Sequence, residues 1–173
     1  MPSAPRSAPR RVKTLSLPGE REAVPALSIE AYIPYLVNRL AITMIDYSAA
    51  DFEKVGLTVP KWRVLLSLWE RGECRFGELV RLTSIEPPTL SRILSSLDRE
   101  KLVNRKRVPT DTRSVAVTLR PAGRALIKRT FPAALDAEET MTHGLSHDER
   151  EALKRTLIKM FENVSRRKAE LAR

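Results

Sequence analysis

Residues 86–103 read EPPTLSRILSSLDREKLV, and this stretch decides the fold. Proline lacks an amide hydrogen and its ring clashes with the preceding turn, so Pro87 and Pro88 are tolerated in a helix only within its first turn. A helix therefore begins near Glu86. Behind the prolines, Leu90, Ile93, Leu94 and Leu97 recur at helical spacing and define one buried stripe. Thr89, Ser91, Arg92, Ser95, Ser96 and Arg99 fall mostly on the opposite face, which is small, polar and basic.

Upstream of this helix, Thr83, Ser84 and Ile85 make a turn, Gly77 to Leu82 reads as a short helix, and Cys74 to Phe76 as a very short strand. Before them, Thr58 caps a helix with Pro60 near its start, an apolar face of Trp62, Leu65, Leu66 and Trp69, and Gly72 as its stop. A first helix is expected from a Ser28 cap to about residue 50, with Glu30 in its first turn. Its stripe is Ile29, Ile33, Leu36, Val37, Leu40, Ala41, Met44 and Ile45.

Downstream, Leu102 to Arg107 and Val115 to Leu119 alternate around a turn-rich middle, as a β-hairpin with a protruding tip does. Pro121 opens a further helix with Leu126, Ile127, Phe131 and Leu135 on its apolar side and a kink at Pro132. Ser146 and Glu149 form a capping box for a last helix carrying Leu153, Leu157, Met160, Phe161 and Val164. Two helices joined by a tight turn and followed at once by a basic hairpin give a winged helix-turn-helix. The fold class is mostly α with a small β-hairpin wing.

Composition narrows the function. The 173 residues suffice for one domain with an appendage, and 31 Lys and Arg against 21 Asp and Glu leave a formal charge of +10, which implies a polyanionic partner. One cysteine and two histidines exclude a disulfide scaffold and a closed zinc site, and the i, i+4 pair His143 and His147 is interrupted by Gly144 and the Ser146 cap. No apolar run is long enough to cross a bilayer or serve as a secretory signal, so a cytoplasmic protein with no membrane role is expected. Residues 1–27 hold prolines at 2, 5, 9, 18 and 25, too many for a continuous amphipathic helix; they read as a flexible basic arm rather than a transit peptide. No phosphate loop, nucleophile elbow or catalytic triad pattern is present, so neither an enzyme nor a cofactor is expected.

The segment from Glu78 to Arg105 resembles the MarR family of bacterial transcriptional regulators, above all in Pro88-Thr89-Leu90-Ser91-Arg92 and in Leu97-Asp98-Arg99-Glu100-Lys101-Leu102-Val103. Asp111-Thr112-Arg113, Leu119 and Gly123 extend the likeness, which by element order covers residues 28–168. Two positions depart from it: Lys101 stands where the family usually has Gly before the first wing strand, and Arg120 where Thr usually opens the next helix. The resemblance implies a homodimer with intertwined terminal helices. It also implies a ligand pocket between those helices and the DNA-binding lobe, often for aromatic acids, and repression as the commonest mode. The expected organisation is an arm (1–27), a DNA-binding lobe (58–120) between dimerisation helices (28–50 and 121–168), and a tail (169–173).

An operator of double-stranded DNA is thus the expected partner. Pro88, Thr89, Ser91, Arg92 and Ser95 would enter the major groove, where small residues allow close approach and Arg reads guanine or binds phosphate; a solvated helix face is the rival reading. Arg105, Lys106 and Arg107 are expected phosphate contacts, with a solvated strand face as the rival reading, and Arg113 a minor-groove contact, with Asp111, by resemblance, bracing that arginine or the turn. For the effector, Tyr32, Tyr35, Asn38, Arg39, Trp62 and Arg63 offer aromatic walls and cations suited to an aromatic carboxylate or its CoA thioester. Trp62 serves equally as core packing and Arg39 as an ion-pair partner. Cys74, between Arg71 and Arg75, could sense oxidants as in some relatives, but a packed thiol is the favoured reading. A nonspecific architectural or RNA-binding protein is the other alternative; a regulator should prefer its operator over random DNA by about 10³ or more.

Overall fold

The computed structural model describes residues 28–108 and 111–171, apart from the side chains of 107, 108 and 111–114. The elements are α1 (Ile33–Glu53), α2 (Val59–Arg71), β1 (Glu73–Arg75), α3 (Phe76–Thr83), α4 (Pro87–Arg99), β2 (Val103–Val108), β3 (Asp111–Leu119), α5 (Pro121–Met141) and α6 (His147–Leu171). The fold is a winged helix-turn-helix, mostly helical with one small antiparallel sheet in the order β1-β3-β2. The chain divides into two compact units, a first ending at Asp46 and a second running from Tyr47. Among the described residues no helix is long and apolar enough to cross a membrane.

Local chemistry sets most boundaries. The Thr58 hydroxyl accepts from the Lys61 amide at 3.4 Å, and Gly72, at φ 81°, ends α2 by donating to the Leu68 carbonyl. The capping box forms as expected: the Glu149 amide donates to Ser146 Oγ at 3.3 Å, and the Ser146 amide donates back to Glu149 Oε2 at 2.8 Å. At the other end of the chain the expected Ser28 cap does not form. The Ser28 carbonyl accepts from the Ala31 and Tyr32 amides in a separate turn, and α1 starts only at Ile33, next to Pro34. A proline's fixed φ suits the first helical positions, so the start moves to it. α1 also runs past residue 50, to Glu53.

The core of the second unit is built from Phe52, Leu57, Val64, Leu65, Leu68, Leu79, Leu90, Leu94, Leu97, Val103, Val117, Leu126 and Ile127, all buried. In α4 the stripe is as the spacing predicts, with Ile93 half-buried at its margin. In α2 the stripe sits further round than expected: Val64 and Leu68 are buried, while Trp62, Leu66 and Trp69 are only half-buried around the core. α2 is packed by α3, α5 and β3 together, so its buried arc exceeds one stripe. α5 continues through Pro132, and Leu135, expected on its apolar side, is 63% exposed.

The turn from α4 into the wing holds the structure's tightest backbone constraint. Lys101 adopts a left-handed φ of 58°, its amide donates to the Asp98 carbonyl, and the Leu102 amide reaches back to the Leu97 carbonyl, both at 2.9 Å. This is a complete Schellman closure, normally made with glycine at the left-handed position. Lys101, standing where the family usually has glycine, thus takes the left-handed conformation itself rather than shifting the turn. One step on, the Leu102 carbonyl lies against Gly123 so closely that a Cβ there would fall far inside contact distance. Lys101→Gly should therefore raise unfolding free energy by about 0.5–1 kcal/mol in urea titrations by relieving the left-handed strain. Gly123→Ala should destabilise by about 3 kcal/mol or more, because the obstacle is backbone and cannot rotate away.

Candidate nucleic-acid interface

α4 is held by its leucines, which turns the opposite face outward: Pro88, Thr89, Ser91, Arg92, Ser95 and Arg99 are all exposed. Ser95 Oγ donates to the Ser91 carbonyl at 2.9 Å, and Arg105 Nη1 on β2 donates across to Ser95 Oγ at 3.3 Å. The recognition helix and the wing therefore share a polar contact on their outer edge. Beside it lies a groove of about 220 Å³ lined by Asp98, Arg105, Lys106 and Val115. Among the described residues no ion pair engages Arg92, Arg99, Arg105 or Lys106.

Just past the far end of α4, Glu100 is engaged internally. Glu100 accepts from Lys61 Nζ at 2.5 Å and from Ser96 Oγ at 2.6 Å. Partial burial pushes its carboxyl up, but these two bonds outweigh it and hold the pKa below the ordinary glutamate value. In the hairpin, Arg107 pairs with Val115 and Val108 with Asp111, and the register is interrupted between Arg107 and Val108. The side chains of Arg107, Asp111 and Arg113 lie outside the described residues.

The expected effector residues fall in both units of the chain. Tyr32 precedes α1 and is exposed, Tyr35 is half-buried, and Asn38 and Arg39 are exposed on the first turns of α1, all within the first unit. On α2, Trp62 stacks on Phe52 with ring centroids 5.2 Å apart, and its buried Nε1–H has no acceptor among the described residues. Arg63 instead lines a groove of about 220 Å³ between α2 and α3, with Ser67, Glu70 and Leu82. A larger groove of about 720 Å³, which the sequence reading did not identify, opens between the α3–α4 turn (Val80, Ile85, Pro87) and the end of α6 (Phe161, Val164, Lys168). The helical spacing of those α6 residues was its only sequence signal.

A family model described as MarR family matches residues 57–115, the span from the start of α2 into β3. The chain is 34% identical to the crystal structure of a MarR-family transcriptional regulator from Silicibacter pomeroyi, with a TM-score of 0.72 over 79% of this chain and 92% of that one. The chain belongs to the MarR family.

Two further similarities bear on this MarR-family protein. The organic hydroperoxide resistance transcriptional regulator of Bacillus subtilis is 32% identical over 128 residues, covering 74% of this chain and 84% of that protein. Bordetella bronchiseptica BpsR, in a structure described as the mechanism for regulation of its DNA binding by 6-hydroxynicotinic acid, is 30% identical, with a TM-score of 0.68 over 74% of this chain and 97% of that one. The chain is thus a DNA-binding transcriptional regulator by family.

Within this MarR-family fold Cys74 is buried in β1, where burial and then Glu78 push its thiol up against the opposing pull of Arg71. A protonated, enclosed thiol is a poor nucleophile. The folded protein should leave Cys74 unmodified by Ellman's reagent at pH 8 while a urea-unfolded sample reacts fully; rapid labelling of the native chain would show that the thiol is open to oxidants.

Proposed function

We propose that this MarR-family regulator acts in the cytoplasm as a homodimeric repressor. It binds a near-palindromic operator through α4 and the wing, and a small molecule of the aromatic carboxylate or aryl-thioester class releases it. The observation that carries this is the exposed Thr89–Arg99 face of α4, tied to Arg105 of the wing and carrying cations unpaired within the described chain. Small polar residues allow the helix into a major groove, and the unpaired cations gain phosphate partners there. Of the wing side chains, Arg113 and Arg107 extend this grip by their place in the hairpin, with Asp111 bracing.

The dimer is supported by apolar surface that each unit leaves uncovered. In the first unit Ile29, Ile33, Leu36 and Leu40 are exposed, and α6 has no buried residue at all, with Val164 69% exposed. Soluble proteins rarely leave such stripes open, and a two-fold partner covers them. The effector class rests on BpsR and its 6-hydroxynicotinic acid, together with the aromatic and cationic residues Tyr32, Tyr35, Asn38, Arg39, Trp62 and Arg63. The orphaned Trp62 N–H is a donor for which a ligand oxygen would be the partner. Burial of Cys74 favours a ligand over an oxidant as the input.

Selection from a randomised DNA library should enrich a two-fold site with half-sites about 34 Å apart, and the protein should bind it about 10³-fold or more tighter than random DNA. Arg92→Ala should weaken that binding by about tenfold or more while the fold is retained. A ratio near one would instead establish a nonspecific architectural protein, and a monomeric mass by light scattering at micromolar concentration would remove the dimer.

A further inference from the structure

Resting on that reading, we propose that Arg120 is a positioning residue for DNA recognition, which locks the angle between the recognition helix and the wing. Arg120 is the residue between β3 and α5 and stands at the N-cap of α5, yet its side chain makes no capping bond. A guanidinium has donors only and no acceptor for the amides of the first turn. The guanidinium turns the other way. Its Nε donates to the Val103 carbonyl at 2.7 Å, its Nη2 faces Asp98 Oδ1 at 3.5 Å, and its own amide donates to the Leu102 carbonyl at 2.9 Å.

One residue thereby joins four chain segments: the last turn of α4 through Asp98, the start of β2 through Leu102 and Val103, the end of β3, and the start of α5. The joint leaves little freedom. The Leu102 carbonyl is wedged against Gly123, and the Asp98 carbonyl is already engaged by the Lys101 amide. A planar guanidinium with donors in a fixed fork holds two acceptors at a set angle, which neither a lysine nor a threonine can do.

The leverage explains why this matters for reading sequence. β2 runs from Val103 to Val108, about 17 Å at 3.3–3.4 Å per residue, so a 10° rotation at its base moves the far end by about 3 Å. A shift of that size exceeds the tolerance of a hydrogen bond to a base edge. Long, flexible arginines on phosphates absorb it. Loss of the joint should therefore erode discrimination between sequences more than overall grip.

The test uses the full chain, a duplex enriched by the wild-type protein from a randomised library, and a random-sequence duplex of equal length, both at one fixed salt concentration. Arg120→Thr supplies a hydroxyl able to cap α5, so the helix start is not weakened. It should keep the wild-type melting temperature within a few degrees, bind the random duplex within about twofold of wild type, and bind the enriched duplex about tenfold or more weakly. Arg120→Lys should not restore discrimination, and Asp98→Asn, which keeps the bond to Val103, should give a smaller loss in the same direction. An unchanged ratio, or equal weakening on both duplexes, would overturn the assignment. If Arg120→Thr fails to fold, an unchanged ratio in Asp98→Asn overturns it equally. Failure of the wild-type protein to enrich any sequence is a different outcome, and it removes the operator reading on which this one rests.

Discussion

The burial of Leu90, Leu94 and Leu97 on one side of α4 is the constraint from which the rest of the interface follows. A fully buried leucine contributes about 1.5–3 kcal/mol of transfer free energy, so three in register fix the helix about its own axis. Nothing on the outer face has to pack for the helix to stay in place. That frees Thr89, Ser91, Arg92 and Ser95 to be chosen for what they meet in solution. The same fixing makes the joint at Leu102 effective, because a wing can be held at a set angle only to a helix that cannot roll.

The charge of the chain divides along this geometry. Lys61 is spent on Glu100 at the C-terminal end of α4, and Arg150 on Glu139 between α5 and α6, at 2.7 Å. These pairs tie elements together and leave no field to attract a polyanion. Arg92 and Arg99 of α4 and Arg105 and Lys106 of β2 have no such partner among the described residues. An excess of +10 gives no direction of approach by itself, whereas under the proposed function the few cations on one rigid face would steer DNA to one orientation.

How far the sequence could be read depended on whether a residue's role was local. The Thr58 cap, the Gly72 stop, the Ser146–Glu149 box and the start of α4 at its prolines each follow from chemistry within four residues, and all of them formed. The stripe of α4 followed too, since one buried face obeys one period. α2 did not, because three elements pack around it and the buried arc widens to Val64 and Leu68. Ser28 failed as a cap because Pro34 competes for the helix start. At Lys101 and Arg120 the sequence marked a departure without giving its outcome. The left-handed turn could be anticipated from position, whereas Arg120 reaches Val103, 17 positions earlier, only because the hairpin folds back. The effector residues were the least legible, since a pocket is a property of several elements at once and the six residues lie on two separate stretches of chain, in different units.

The prolines that open α4 carry one more consequence. A helix N-terminus ordinarily presents unpaired backbone amides, and those amides are a ready anchor for a phosphate. Here the first two helical positions, Pro87 and Pro88, have no N–H to offer. The end of the helix nearest the turn is stripped of half of its main-chain donors, so in the proposed complex Thr89 and the side chains beyond it would hold the DNA backbone. A grip made from side chains rather than main chain can be retuned by substitution. In this protein the element that sets where the helix begins therefore also leaves phosphate contact open to change.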